Sequence, residues 1–207
     1  MLLAFEFACR DSCFRLGDGE TAVTRRKIYL LPLGFRNAPL LDRISAAVEK
    51  AFDLPAGRLQ SVPLPEYAYN ESRGQYHSPT ILKSLAVRVS GDALRLLAVT
   101  EADLYVPHLS FVFGEAAVDG RVCIISLYRL RPEFYGRPPD ELLFVERAAK
   151  EAIHELGHTF GLRHCPDQRC VMYFSNSIRD TDRKSAEFCA ESAEHLEFQL
   201  DALKAAV

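Results

Sequence analysis

The chain has 207 residues, 48% of them hydrophobic and 10% aromatic, which is enough to bury a sizeable core and excludes a disordered or fibrous polypeptide. Twenty-five Lys and Arg against 28 Asp and Glu leave a formal net charge of −3, so no bulk field draws the molecule to nucleic acid or to anionic lipid. The longest apolar runs, such as residues 122–127, fall far short of the roughly 20 residues of a membrane helix.

Residues 1–7 place Glu6 inside an apolar stretch, with no basic segment before it and no small-residue cleavage site after it. They read as a strand of a cytoplasmic protein, not as an export signal. Residues 17–20 make a turn and residues 28–33 a β-rich strand ended by Gly34, so the front end is expected to form a hairpin. From 39 to 52, Leu40, Leu41, Ile44, Val48 and Ala51 recur at helical spacing with charges between them, and Pro55 stops the helix. Residues 63–79 read as a loop and residues 81–86 as a short helix. Three β-rich runs follow, at 94–99, 109–113 and 122–127, separated by turns. Asp140 is the expected N-cap of the longest helix, whose apolar stripe of Val145, Ala149, Ala152, Ile153, Leu156 and Phe160 runs to Gly161.

That helix carries His154-Glu155-Leu156-Gly157-His158. Two imidazoles four residues apart share one helical face, a half-built zinc site, with Glu155 rotated toward a bound water. Hydrolytic zinc takes three protein ligands and keeps one position open, so a third donor is needed. Gly161 tolerates a left-handed conformation that lets the chain double back and bring His164 beneath the metal. With this composition, His-Glu-x-x-His arises by chance in roughly one such chain in a hundred, and the added Gly and His reduce that to a few in a hundred thousand. The six cysteines are unevenly spaced and three lie beyond these histidines, which suits metal ligation in a reducing compartment better than a disulfide framework. Cys165, Cys170 and Cys189 read as a second, structural zinc site with one ligand missing, or as plain buried thiols.

The stretch from His154 to Ser192 resembles the archaemetzincin signature: the elongated histidine motif followed by a Cys, a Cys-x-Met and a terminal Cys-x-x-Cys. The resemblance extends upstream through residues 103–107, 111–114 and 126–136, includes residues 173–177, and covers most of the chain from about Ile28; residues 1–27 have no counterpart. It implies a mixed α/β (α+β) metzincin-like fold in a single domain. Residues 1–161 would form an upper part with a twisted mixed sheet, a backing helix and the active-site helix. Residues 162–207 would form a small zinc-stapled lower part, with Met172 in a turn under the metal. It also implies a catalytic zinc on the three histidines, a second zinc on four cysteines, and a cleft-lining edge strand within residues 109–113 that pairs with an extended substrate. The sequence departs where Ser192 replaces the last cysteine. A neutral hydroxyl is a poor zinc ligand beside thiolates. His195, one turn further on, is the first substitute, with Cys9 or Cys13 as remote ones.

These residues are expected to make a zinc metallopeptidase, a hydrolase in which Glu155 takes a proton from water and returns it to the leaving amine. Its partner would be a peptide or protein, with no nucleic acid or membrane. Phe174 stands two residues after the methionine, where some metzincins carry a tyrosine. Tyr128, Arg129 and Tyr135 are candidates for transition-state help or for plain packing. Two other classes fit the histidine spacing. One is a non-catalytic zinc-stabilised binding module. The other is a metal-dependent endoribonuclease, which would lack the glutamate and need a basic groove. Residues 180–184 read as a solvated loop without a role.

Overall fold

A computed structural model describes residues 26–87, 89, 91–117 and 120–205. The strand expected at residues 1–7, the turn at 17–20, Cys9 and Cys13 lie outside these residues; residues 28–33, the other arm of the expected hairpin, form a strand that pairs in parallel with two others. In chain order the elements are β1 (Lys27–Leu33), α1 (Ala38–Phe52), β2 (Ala56–Arg58), β3 (Tyr69–Asn70), β4 (Gln75–His77), α2 (Ser78–Ala86), β5 (Ala93–Thr100), β6 (Leu104–Tyr105), β7 (Gly114–Ala116), β8 (Val122–Ser126), α3 (Glu141–Thr159), α4 (Ile178–Arg183) and α5 (Ala190–Ala205).

The main sheet has the order β2-β1-β5-β8-β7, with β7 alone antiparallel to its neighbour. Its central strand β5 is buried at all eight positions, because helices cover both faces. Leu97, Val99, Cys123 and Ile125 face α1 and α3, while Leu96, Ala98, Val122 and Ile124 face α2. The core on the α3 side continues through Leu162, Val171 and Met172 to Leu196 on α5. A second sheet, β3-β4-β6, stands beside it.

Local chemistry sets the helix starts. Asn37 accepts the Leu40 amide at 3.1 Å to begin α1, and Asp140 accepts the Leu143 amide at 3.0 Å to begin α3, as its N-cap position predicts. At the other end of α3, Arg95 of β5 donates to the Thr159 carbonyl at 3.1 Å and lies over the Phe160 ring. A buried cation therefore caps the carbonyl end of this helix. Gly161 follows with φ 83°, the left-handed residue that turns the chain back.

Three expectations need correction. Residues 109–113 form no strand: Val112 makes a single bridge to Leu104, and the edge strand begins at Gly114. An apolar run of that length is equally compatible with an irregular wall packed by aromatics, as Phe111 against Phe113 shows. Within the expected loop at 63–79, β3 and β4 pair antiparallel through only two residues each, too few to leave a period-2 pattern. Residues 180–184 are no solvated loop. They close α4, with Thr181 and Lys184 almost fully buried.

Candidate metal centre and active site

The fourth and fifth turns of α3 present His154 and His158 on one face, and the reversal at Gly161 brings His164 against them. Nε2 of His158 lies 3.1 Å from Nε2 of His154 and 3.2 Å from Nε2 of His164. The Nδ1 atoms of the two helical rings point the other way, 2.8 Å from the Val171 carbonyl and 2.7 Å from the Leu162 carbonyl. A carbonyl can only accept, so each Nδ1 holds the proton and each Nε2 is left with its lone pair. Lone pairs then face one another across about 3 Å with no hydrogen between them.

A proton is a poor remedy. Burial pushes the proton affinity of His154 well below the ordinary value, and the nearby Lys184 charge pushes it further. Burial likewise lowers His158 and His164. A divalent cation is a good one: tetrahedral zinc with N at about 2.1 Å separates its nitrogens by about 3.4 Å, close to the spacing found. The donor set fits the metal.

Glu155 is 6% exposed. Burial raises its proton affinity well above the carboxylate range; the charges of Glu151 and Glu115 add to this and Lys184 opposes it. It packs so closely beneath β7 that a Cβ at Gly114 would come within 2.5 Å of its Cγ. Gly157 plays the same part on the lower side, where a Cβ would meet Met172 Sδ at 2.5 Å. Met172 is fully buried under this helix turn. The open side is a cleft of about 400 Å³. Residues 109–116 wall it above, the histidines and Glu155 form its floor, and residues 174–176 its lower rim. The ring of Phe174 rests 4.7 Å from that of His164.

Other expected residues sit elsewhere. Arg129 makes a two-pronged pair with Asp103 at 2.8 and 2.7 Å and covers the Phe111 ring. Tyr135 donates to the Arg129 carbonyl at 2.9 Å and Tyr128 stacks edge-on against Phe134. None of the three lines the cleft; they brace its upper wall.

Below the floor, the Sγ atoms of Cys165, Cys170 and Cys189 lie within 4.8 Å of one another, with Cys165 and Cys189 at 3.6 Å. The fourth corner holds Ser192, whose Oγ is 3.4 Å from the sulfurs of both Cys170 and Cys189. That hydroxyl and its amide lower the proton affinity of Cys189. His195 is exposed on α5, its ring nitrogen 3.4 Å from the Gln199 amide, and takes no part in the thiol group. A histidine three residues beyond Ser192 on a helix is carried past the thiols instead of onto them.

The residues that sequence reasoning missed continue the histidine stripe of α3 upstream: Arg147 and Glu151 at heptad-like spacing before His154 and His158. Arg147 pairs with Asp182 at 2.6 and 2.8 Å, Lys150 donates to the Thr181 carbonyl at 3.2 Å, and Glu151 accepts from Thr181 Oγ1 at 3.0 Å. The spacing 147, 151, 154, 158 was the available signal, masked because charged residues on a helix default to its wet face.

A mixed sheet over a helix bearing three convergent imidazoles and one buried carboxylate defines the class: a metzincin-like metallopeptidase. Residues 40–198 match peptidase family M54, and the chain belongs to that family. It is 46% identical over 174 residues to archaemetzincin of Methanocaldococcus jannaschii, covering 83% of this chain and 93% of that protein. Among solved structures it is similar to archaemetzincin of Methanopyrus kandleri, with a TM-score of 0.76 and 38% identity over 86% of this chain and 97% of the other. It is also similar to a zinc-dependent peptidase of Methanocorpusculum labreanum, with a TM-score of 0.75 and 30% identity over 82% and 99%. Membership of a peptidase family sets aside the endoribonuclease alternative.

Proposed function

We propose that this metallopeptidase hydrolyses peptide bonds with a zinc ion held by Nε2 of His154, His158 and His164 and with Glu155 as general base. The observation that carries it is the set of three Nε2 atoms 3.1 and 3.2 Å apart, two of them with their ring protons already committed to carbonyls. When bound, zinc supplies Lewis acidity, lowering the pKa of water to about 7 and polarising a carbonyl. The Glu155 carboxylate takes the water's proton at the cleft floor. Having taken it, the Glu155 carboxyl is placed to return that proton to the leaving amine. The outer edge of β7, the last strand of the sheet, offers its backbone to an extended peptide or protein segment. Gly114 lets that backbone approach the base.

Zinc-dependent hydrolysis is tested by metal removal. Chelator-stripped protein is expected to lose cleavage of a fluorogenic peptide mixture and regain it with zinc. Turnover that survives stripping would contradict the proposal. Stoichiometric zinc without any turnover would favour the binding-module alternative, in which Glu155 is idle.

A second zinc on Cys165, Cys170 and Cys189 is part of the same reading. Tetrahedral zinc spaces thiolates by about 3.8 Å, near the 3.6 Å found between Cys165 and Cys189. With Ser192 in the fourth corner the site has three strong ligands, so it holds zinc more weakly than a four-thiolate site. Ser192→Cys is expected to raise zinc per chain toward two after dialysis; an unchanged value below two would show that the fourth corner does not limit binding. The four described cysteines are free thiols, which favours a reducing compartment and a cytoplasmic location. No helix among the described residues is long and apolar enough to cross a membrane.

A further inference from the structure

Lys184 follows α4 and has a side chain with no exposure. A buried cation is costly unless paired, and its partner is Glu151 of α3, with Nζ 3.0 Å from Oε1. The same oxygen accepts from Thr181 Oγ1, so two groups from the α4 segment grip one carboxylate. Nζ also lies 3.4 Å from Nδ1 of His154, but the shorter bond at that nitrogen is the 2.8 Å one to the Val171 carbonyl.

The chain beyond Lys184 runs directly into a short ladder with the segment that holds Val171. Ser185 donates its amide to the Arg169 carbonyl at 2.8 Å, and Val171 donates its own to the Glu187 carbonyl at 2.8 Å. The contacts close a ring: Glu151 to Lys184, residues 185–187 to residues 169–171, the Val171 carbonyl to His154, and back along α3 by one turn. Cutting the ring at Lys184 removes the side-chain link to α3 that lies nearest the ladder.

We propose that Lys184 is a positioning residue for His154. Paired with Glu151 inside the protein, it fastens residues 184–187 to α3 so that the Val171 carbonyl stays on Nδ1 and the Nε2 lone pair stays aimed into the cleft. This rests on the reading of His154 as a metal ligand. Groups that orient ligating histidines in this way typically change metal affinity about 10–100-fold when altered.

The test is Co2+ binding by the full chain, in which thiolate-bound cobalt is told from histidine-bound cobalt by its intense near-ultraviolet charge-transfer band. The double variant Glu151→Gln/Lys184→Met removes both charges together and leaves no unpaired buried ion, so the metal-free protein is expected to melt close to the wild type. Its histidine centre should hold Co2+ about 10–100-fold more weakly, with the thiol band titrating as before. Wild-type affinity at the histidine centre in that variant overturns the proposal and leaves the pair a purely structural one. If the double variant does not fold, Lys184→Gln carries the same test: a loss of about tenfold supports the proposal and wild-type affinity overturns it. His154→Ala run alongside separates the two levels, since unchanged Co2+ binding there would sink the triad reading itself, and the role of Lys184 with it.

Discussion

Glu155→Gln is expected to keep the metal and the fold while losing peptide turnover by about 10²- to 10⁴-fold. The amide has the shape of the carboxylate, so the close fit under Gly114 and the cleft walls are preserved. What is lost is the ability to take a proton. Stability should move the other way. Burial and the neighbouring Glu151 and Glu115 raise the proton affinity of Glu155 in the folded protein. Its ionised form is therefore disfavoured by folding, and the penalty grows as pH rises past the ordinary carboxylate value of about 4.3. The neutral amide escapes that penalty, so metal-free Glu155→Gln is expected to melt at or above the wild-type temperature at neutral pH. Steady-state kinetics and thermal melts on the same preparations check both parts. Equal turnover in variant and wild type would remove Glu155 from the mechanism.

Arg147→Met is expected to give the largest loss of stability among single changes outside the centre. Arg147 is 1% exposed, donates to both oxygens of Asp182 and to the Leu130 carbonyl, and so ties α3 to α4. Breaking a buried pair by removing one member costs about 3–5 kcal/mol, and the partial exposure of Asp182 places this case near 3. For a chain of this size that corresponds to a fall in Tm of about 6–12 °C. Methionine fills most of the vacated volume, so the loss reports the ion pair more than a cavity. A fall of less than about 2 °C in the metal-free protein would show that the Arg147–Asp182 pair contributes little to the docking of α4.

The convergence of the three histidines was legible because it depends on spacing along one helix and on the reversal after it. His154 and His158 are four apart, Glu155 is rotated off them, and Gly161 takes the one backbone conformation that returns His164 to the same point. α1, β5, β8 and α3 were legible for a related reason: each is long enough to show a period or an unbroken apolar run. The edge strand was displaced, because β7 has three residues, Gly114, Glu115 and Ala116, without a β-branched side chain among them. Residues 109–113 look more like a strand, but their aromatics brace the cleft wall against Arg129. The polar network beneath the centre was hidden for a different reason. Thr181, Asp182 and Lys184 are the residue types of a wet loop, and only three-dimensional pairing with Arg147 and Glu151 makes the burial of Thr181, Lys184 and Arg147 affordable. Ser192 was recognised as a departure in the sequence, but its place at the fourth corner, not that of His195, required the geometry of α5.

The central claim is that three imidazoles converge on one ion, and anomalous diffraction at the zinc edge from zinc-loaded crystals tests it most directly. A peak about 2.0–2.1 Å from Nε2 of each of His154, His158 and His164 is the predicted result. A peak elsewhere, with any one of those rings turned out of the cleft, would contradict it.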